Sequence, residues 1–224
     1  MGVVTSTPAA IVQQLHADES ALRSALTAWN GSGPTPGAVL ELTVDREKLI
    51  RQIALSKKTS AAVEELAPSE TDDVKAEQDL LKLGRSTPPP KGPIKLKPAP
   101  PATKLLAWYQ EAQQRFDIPW QLLAAINFVE SAFGRIRNDS GDGAQGPMQF
   151  EPATWKAYGL GGNVHDAHDA ILGAANYLAA NHGATDERDA LFHYNPSPLY
   201  VDAVLHYAHR IEHVRTAFLE YYAR

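Results

Sequence analysis

Apolar residues in the first part of the chain recur at helical spacing. Ile11, Leu15, Leu22, Leu26 and Trp29 share one helix face, and Gly31-Ser32-Gly33-Pro34 supplies the stop. Leu49, Ile50, Ile53 and Val63 mark a second helical stretch, from about Asp45 to Leu66. A third is predicted from Ser69-Glu70-Thr71-Asp72, which resembles a capping box, to Gly84. Further on, helical patterns cover 103–116, 119–132, 152–158, 166–182, 186–194 and 198–221, with Pro119 and Pro152 in first-turn positions. No segment alternates as a half-buried strand would. The pattern predicts an all-α protein.

Proline divides the chain. Residues 86–102 hold seven of its 16 prolines, and this predicts an extended, semi-rigid linker over 85–102. Recognition by a polyproline-binding partner is the alternative use of such a segment. The expected organisation is therefore a helical segment at 1–84, the linker, and a mainly helical domain at 103–224. Three of the four Trp, seven of the eight His and every Tyr lie beyond residue 102. Nothing before the linker suggests chemistry, although residues 1–84 could serve as a partner or regulatory contact.

Charge follows the same division. Residues 1–84 carry 8 Lys+Arg against 12 Asp+Glu, the linker carries 4 cations and no acid, and 103–224 carries 9 against 14. The cationic linker could hold an anionic polymer, or it could simply be solvated. A net charge of −5 argues against broad phosphate neutralisation, so no nucleic-acid partner is expected. Without cysteine there is no disulfide, thiolate metal site or cysteine nucleophile. With 224 residues the chain has room for one or two domains, and no apolar run is long enough for a membrane span. Met1-Gly2-Val3-Val4-Thr5 lacks the basic and apolar regions of a signal peptide. Either the protein is not exported, or its leader has been removed.

Candidate chemistry begins at Glu130. This single carboxylate follows the almost wholly apolar run Leu122 to Val129. A carboxyl buried there would have its pKa raised, as a proton donor at neutral pH requires. A solvent-facing Glu at the end of a core helix is the alternative. A glycine-rich loop follows, Asn138 to Phe150, and delivers Gly146-Pro147-Met148-Gln149. Later come Tyr177-Leu178 at the end of an apolar helix and Ala190 to Asn195, ending in Tyr194-Asn195. His206, His209 and His213 share a helix face, with His165 and His168 as another pair. No HExxH is present and a solvated stripe is the expectation, so neither metal nor cofactor is assigned.

Glu130-Ser131, Gly146 to Gln149, Tyr177-Leu178 and Ala190 to Asn195 together resemble the transglycosylase SLT family, and they occur in that family's order. These are lysozyme-like enzymes that cleave peptidoglycan glycan strands. The resemblance covers about 103–210, with Pro147 where Leu is usual and Pro196 where glycine is usual. It implies a lysozyme-like catalytic domain with Glu130 as single catalytic acid and base. By the same resemblance Ser131 orients or solvates that carboxyl, and Met148 and Gln149 line the cleft. Tyr194 sits against Glu130, Asn195 shapes the sugar site, and Tyr200 is assigned to the same wall. The implied reaction is lytic transglycosylation of the MurNAc-GlcNAc bond, in which the sugar's own C6 hydroxyl closes a 1,6-anhydro ring. Its implied setting is extracellular or on the cell envelope. A muramidase using Asp139, Asp142 or Glu151, the acids that flank the glycine-rich loop, as second carboxylate, and a silent glycan-binding module, are the rival readings.

Overall fold

In the computed structural model, residues 7–86 and 92–224 are described, and among them there are eleven α-helices and one 3-10 turn. No sheet forms among these residues, only two isolated antiparallel bridges. The all-α expectation holds.

The N-terminal helices are α1 (Pro8–Trp29), α2 (Gly37–Ala54), α3 (Lys57–Leu66) and α4 (Thr71–Ser86). The stretch expected as one helix over 45–66 is two. Ser56 breaks it, its hydroxyl accepting from the Thr59 N–H at 3.3 Å and so capping α3. The expected capping box at Ser69 is instead a 3-10 turn, Pro68–Glu70, whose Glu70 side chain is buried.

The remaining helices are α5 (Ala102–Phe116), α6 (Trp120–Ser131), α7 (Pro152–Tyr158), α8 (Ala167–Ala180), α9 (Glu187–Tyr194), α10 (Pro198–His213) and α11 (Ala217–Ala223). The helix expected over 198–221 is divided at Val214, which is extended, so that α11 folds back. Buried Leu105, Tyr109, Leu122, Ile126, Ile171, Leu178, Val204 and Tyr221 belong to one core.

That core does not stop at the proline-rich segment. Leu22, Leu26, Trp29, Val39 and Ala76 join it from α1, α2 and α4, while Ile11, Leu15, Ile53 and Val63 form a small cluster of their own. Gly31 shows how close the approach is: its φ is +82°, and a Cβ there would lie 2.8 Å from the Leu219 side chain. α4 packs along α10. Two histidines of the stripe reach this interface, His206 and His209 donating to the two oxygens of Asp72 at 2.8 and 2.5 Å, while His213 bonds the His209 carbonyl at 2.8 Å on its own helix.

A buried ion network ties the two parts together. Arg46 of α2 pairs with Glu19 (2.8 Å), Asp73 (2.7 Å), Glu220 (2.5 Å) and Glu70. Arg210 of α10 pairs with Glu220 (2.9 Å), Asp73 (3.1 Å), Glu19 (3.4 Å) and Glu70 (3.6 Å). All six side chains are nearly or fully enclosed. Separating the parts would take Glu19, Arg46, Glu70 and Asp73 away from Arg210 and Glu220. Unpaired buried charge is strongly destabilising.

Of the expected linker, residues 87–91 lie outside the described residues. Its C-terminal part is extended and docked on the body. The Lys97 N–H donates to the Arg135 carbonyl at 3.0 Å, and the Arg137 N–H to the Lys95 carbonyl at 2.9 Å.

Candidate active site

Glu130 sits in the last turn of α6. Helix-forming Leu and Ala residues drive this helix, and the Gln113 side chain caps its start by accepting the Trp120 N–H at 2.8 Å. Ala132 and Phe133 then adopt left-handed backbone, ending the helix just beyond the carboxylate. Leu122 to Asn127 are buried, and Glu130 itself is half-buried, facing a cleft of about 430 Å³.

The Glu130 carboxyl has one close polar partner, the Tyr200 hydroxyl, which donates to it at 2.6 Å. Burial pushes this carboxyl up to about 7, against the Tyr200 hydrogen bond, which pulls it down. No cation among the described residues pairs with it. The negative end of the α6 dipole also favours the neutral acid. Burial, and next the nearby Glu130 charge, push the Tyr194 and Tyr200 phenols well above their usual range. Both therefore remain hydrogen-bond donors. The arrangement can hold a proton near neutral pH and release it to an acceptor in the cleft.

Ser131 is fully buried and does not touch the carboxyl. Its hydroxyl donates to the Pro147 carbonyl at 2.5 Å and accepts from the Gly134 N–H at 2.8 Å. It thus fastens the end of α6 to the glycine-rich loop. Gln145 and Phe150 close that loop, exchanging two backbone hydrogen bonds of 2.8 Å. Gly146 at its start has φ of +74°, and a Cβ there would lie 1.9 Å from the Val164 carbonyl oxygen, so no other residue fits.

Met148 is also fully buried, its sulfur accepting from the Asn127 side chain at 3.1 Å, so it supports the cleft from behind. Gln149 lines the cleft and donates to the Gly146 carbonyl at 2.9 Å. Tyr194 lines it too, but its hydroxyl donates to the Met148 carbonyl at 2.6 Å rather than to Glu130. Asn195 lines the same cleft. The phenol that reaches Glu130 comes from the first turn of α10. There Pro198 opens the helix and the Ser197 hydroxyl accepts from the Tyr200 N–H at 3.5 Å.

Ser140, Thr154, Tyr177 and His193 line the cleft with no part in the expected site, and Glu151, one of the acids flanking the glycine-rich loop, lines it too. Tyr177 was visible as part of the Tyr177-Leu178 pair. In the structure it packs edge-on against Tyr194, ring centres 5.6 Å apart, and donates to the His193 carbonyl at 2.8 Å. Asp142 lines the cleft as well; Asp139 does not.

The family model for the transglycosylase SLT domain matches residues 107–212. Residues 107–212 belong to the transglycosylase SLT family. Every cleft residue named above falls inside this SLT domain, whereas α1 to α4 lie before it and α11 after it. The membrane-bound lytic murein transglycosylase F of Thiobacillus denitrificans is 39% identical over 71 residues. That match spans 32% of this chain and only 15% of the relative's length. No solved structure matches the chain. No helix among the described residues is long and apolar enough to cross a membrane.

Proposed function

We propose that the chain is a peptidoglycan-cleaving lytic transglycosylase with Glu130 as its single acid and base. The observation that carries this reading is the Glu130 carboxyl: half-buried, raised to about 7, held by the Tyr200 hydroxyl and open to the cleft. Membership of residues 107–212 in the SLT family supports the substrate class.

In this reading protonated Glu130 donates to the glycosidic oxygen as positive charge develops on the muramoyl ring. The carboxylate so formed then takes the proton of the N-acetylmuramoyl C6 hydroxyl, and that oxygen closes the 1,6-anhydro ring. An intramolecular nucleophile is already in place, so neither water nor a second carboxylate is needed. Tyr200 steadies the carboxylate between the two steps. Gln149, Tyr194 and Asn195 hold the sugars, while Ser131 and Met148 hold the loop that carries Gln149. The action belongs at the cell wall, on the outer side of the membrane or in the envelope.

Asp142 and Glu151 line the same cleft, and this favours hydrolysis as the second reading, with one of them activating water. Digestion of purified peptidoglycan with mass analysis of the muramyl ends separates the two. Anhydro ends, lighter than reducing ends by one water, are expected. Reducing N-acetylmuramic acid as the main initial end would make the protein a muramidase, and no release at all would make it a glycan-binding module.

A further inference from the structure

The docked segment before α5 builds a cationic pocket that the proposed reaction does not use. Leu96 pairs with Ile136 in an antiparallel bridge. Side chains alternate across such a ribbon, so Lys95 and Lys97 share a face with Arg137 and Arg135, opposite to Leu96 and Ile136. Asn138 fixes the register, accepting from the Lys95 N–H at 2.7 Å and donating to the Pro93 carbonyl at 3.1 Å.

Like charges set directly across a ribbon are destabilising. Arg135 is relieved, since it donates to the Ala132 and Tyr222 carbonyls at 3.1 and 2.6 Å. Lys95, Lys97 and Arg137 pair with no carboxylate among the described residues, although the chain carries a net charge of −5. Lys97, Arg137 and His165 line a cavity of about 140 Å³ together with Trp108, Pro100 and Pro147. Asp166 also borders it as a carboxylate, its Oδ1 accepting from the N–H groups of His168 and Asp169 at 2.9 and 3.1 Å and capping α8.

We propose that this pocket binds a free carboxylate of the peptide stems that peptidoglycan carries, an outer substrate site separate from the cleft. The inference rests on peptidoglycan being the substrate. An Arg fork beside a Lys suits a carboxylate. The cavity is well under the roughly 300–1,000 Å³ of pockets that enclose drug-sized ligands, so it suits a small acidic group rather than a sugar. Its proline and indole walls suit the aliphatic part of a terminal amino acid. A linear phosphate polymer would call for an open cationic track instead. One loop borders both places: Arg137 and Pro147 line the pocket, while Ser140, Asp142 and Gln149 line the cleft. A strand held in the cleft thus presents its own acidic peptides to a site on the same loop.

The test uses the full chain carrying Glu130→Gln, so that substrate is bound and not consumed, in sedimentation with insoluble peptidoglycan stripped of phosphate polymers. Adding Lys97→Gln and Arg137→Gln should weaken binding about five- to tenfold. On the same peptidoglycan with its free carboxyls converted to amides, the added changes should have no effect. The charge-keeping pair Lys97→Arg and Arg137→Lys should restore most of the binding, and Lys97→Gln alone, at an exposed side chain, should weaken it about threefold. Unchanged binding by the Gln variants would overturn the proposal. So would a loss that persists on amidated material, or one seen only while phosphate polymers remain. Failure of the enzymatic reading would appear separately, as wild-type chain that releases no fragments from peptidoglycan.

Discussion

Glu130 and Asp73 are carboxyls of the same fold, and their surroundings drive them in opposite directions. Burial acts on both as an upward push. At Glu130 nothing cationic answers it, and the carboxyl rises to about 7. At Asp73 the charges of Arg210 and Arg46 more than offset burial and hold the carboxyl well below its usual range. The Tyr221 hydroxyl also donates to Asp73, as Tyr200 does to Glu130. A phenol therefore does not distinguish the two sites. Guanidinium does, turning one acid into a fixed ionic joint and leaving the other free to exchange a proton.

The largest effect that sharpens this contrast belongs to Glu130→Gln. The amide keeps the shape and cannot transfer a proton, so release of peptidoglycan fragments should fall by about 10²–10⁴-fold or more while the circular dichroism spectrum stays native. Near-native release by the folded variant would remove Glu130 from the chemistry.

Arg46→Met tests the other acid site. It leaves four carboxylates around Arg210 and should cost about 3–5 kcal/mol of stability, read as a lower denaturation midpoint. The pH dependence of the residual activity should not move, because Arg46 pairs with the network acids and not with Glu130. By the same reasoning a fragment of residues 102–224 should fail to fold alone. A stable, soluble fragment would show that the joint is dispensable.

Stability should also register the Glu130 proton. The folded chain holds it more tightly than the unfolded chain, with a pKa near 7 against an ordinary 4.5. The resulting stabilisation is complete below that ordinary value and is lost as pH rises through about 7. Glu130→Gln should match the wild type near pH 4 and exceed it near pH 8–9 by up to about 3 kcal/mol. Cleavage by the wild type should decline over the same rise, as the acid form disappears. Equal melting temperatures of the two chains at pH 9 would contradict the raised value.

The smallest expected effect is at Tyr200. Tyr200→Phe removes the one hydrogen bond that lowers the Glu130 pKa, so the alkaline limb of the rate profile should shift up by about one pH unit. The rate should fall about tenfold, because the carboxylate formed in the first step loses its donor. Tyr194→Phe, whose hydroxyl is committed to Met148, should leave the limb in place.

Much of this molecule was legible in its sequence for local reasons. Helical periodicity and punctuation by Pro119 and Pro152 gave most of the helices, since helix-start signals act within a few residues. The order Glu130-Ser131, Gly146 to Gln149, Tyr177-Leu178 and Tyr194-Asn195 carried the family. The raised carboxyl followed from one acid at the end of an apolar run. Other features depended on residues far apart in the chain. Which tyrosine reaches Glu130 depends on how α9 and α10 pack beside α6: Tyr194 was expected against the carboxyl, and Tyr200 is the one that bonds it. Asp72 and Asp73 look like ordinary first-turn acids until α10 brings His206, His209 and Arg210 against them. Nor did proline content reveal that 95–97 would pair with 135–137 or that α1, α2 and α4 would share the core. Proline sets the stiffness of a segment, whereas docking is decided by the apolar surface and buried charge that only the assembled helices bring together.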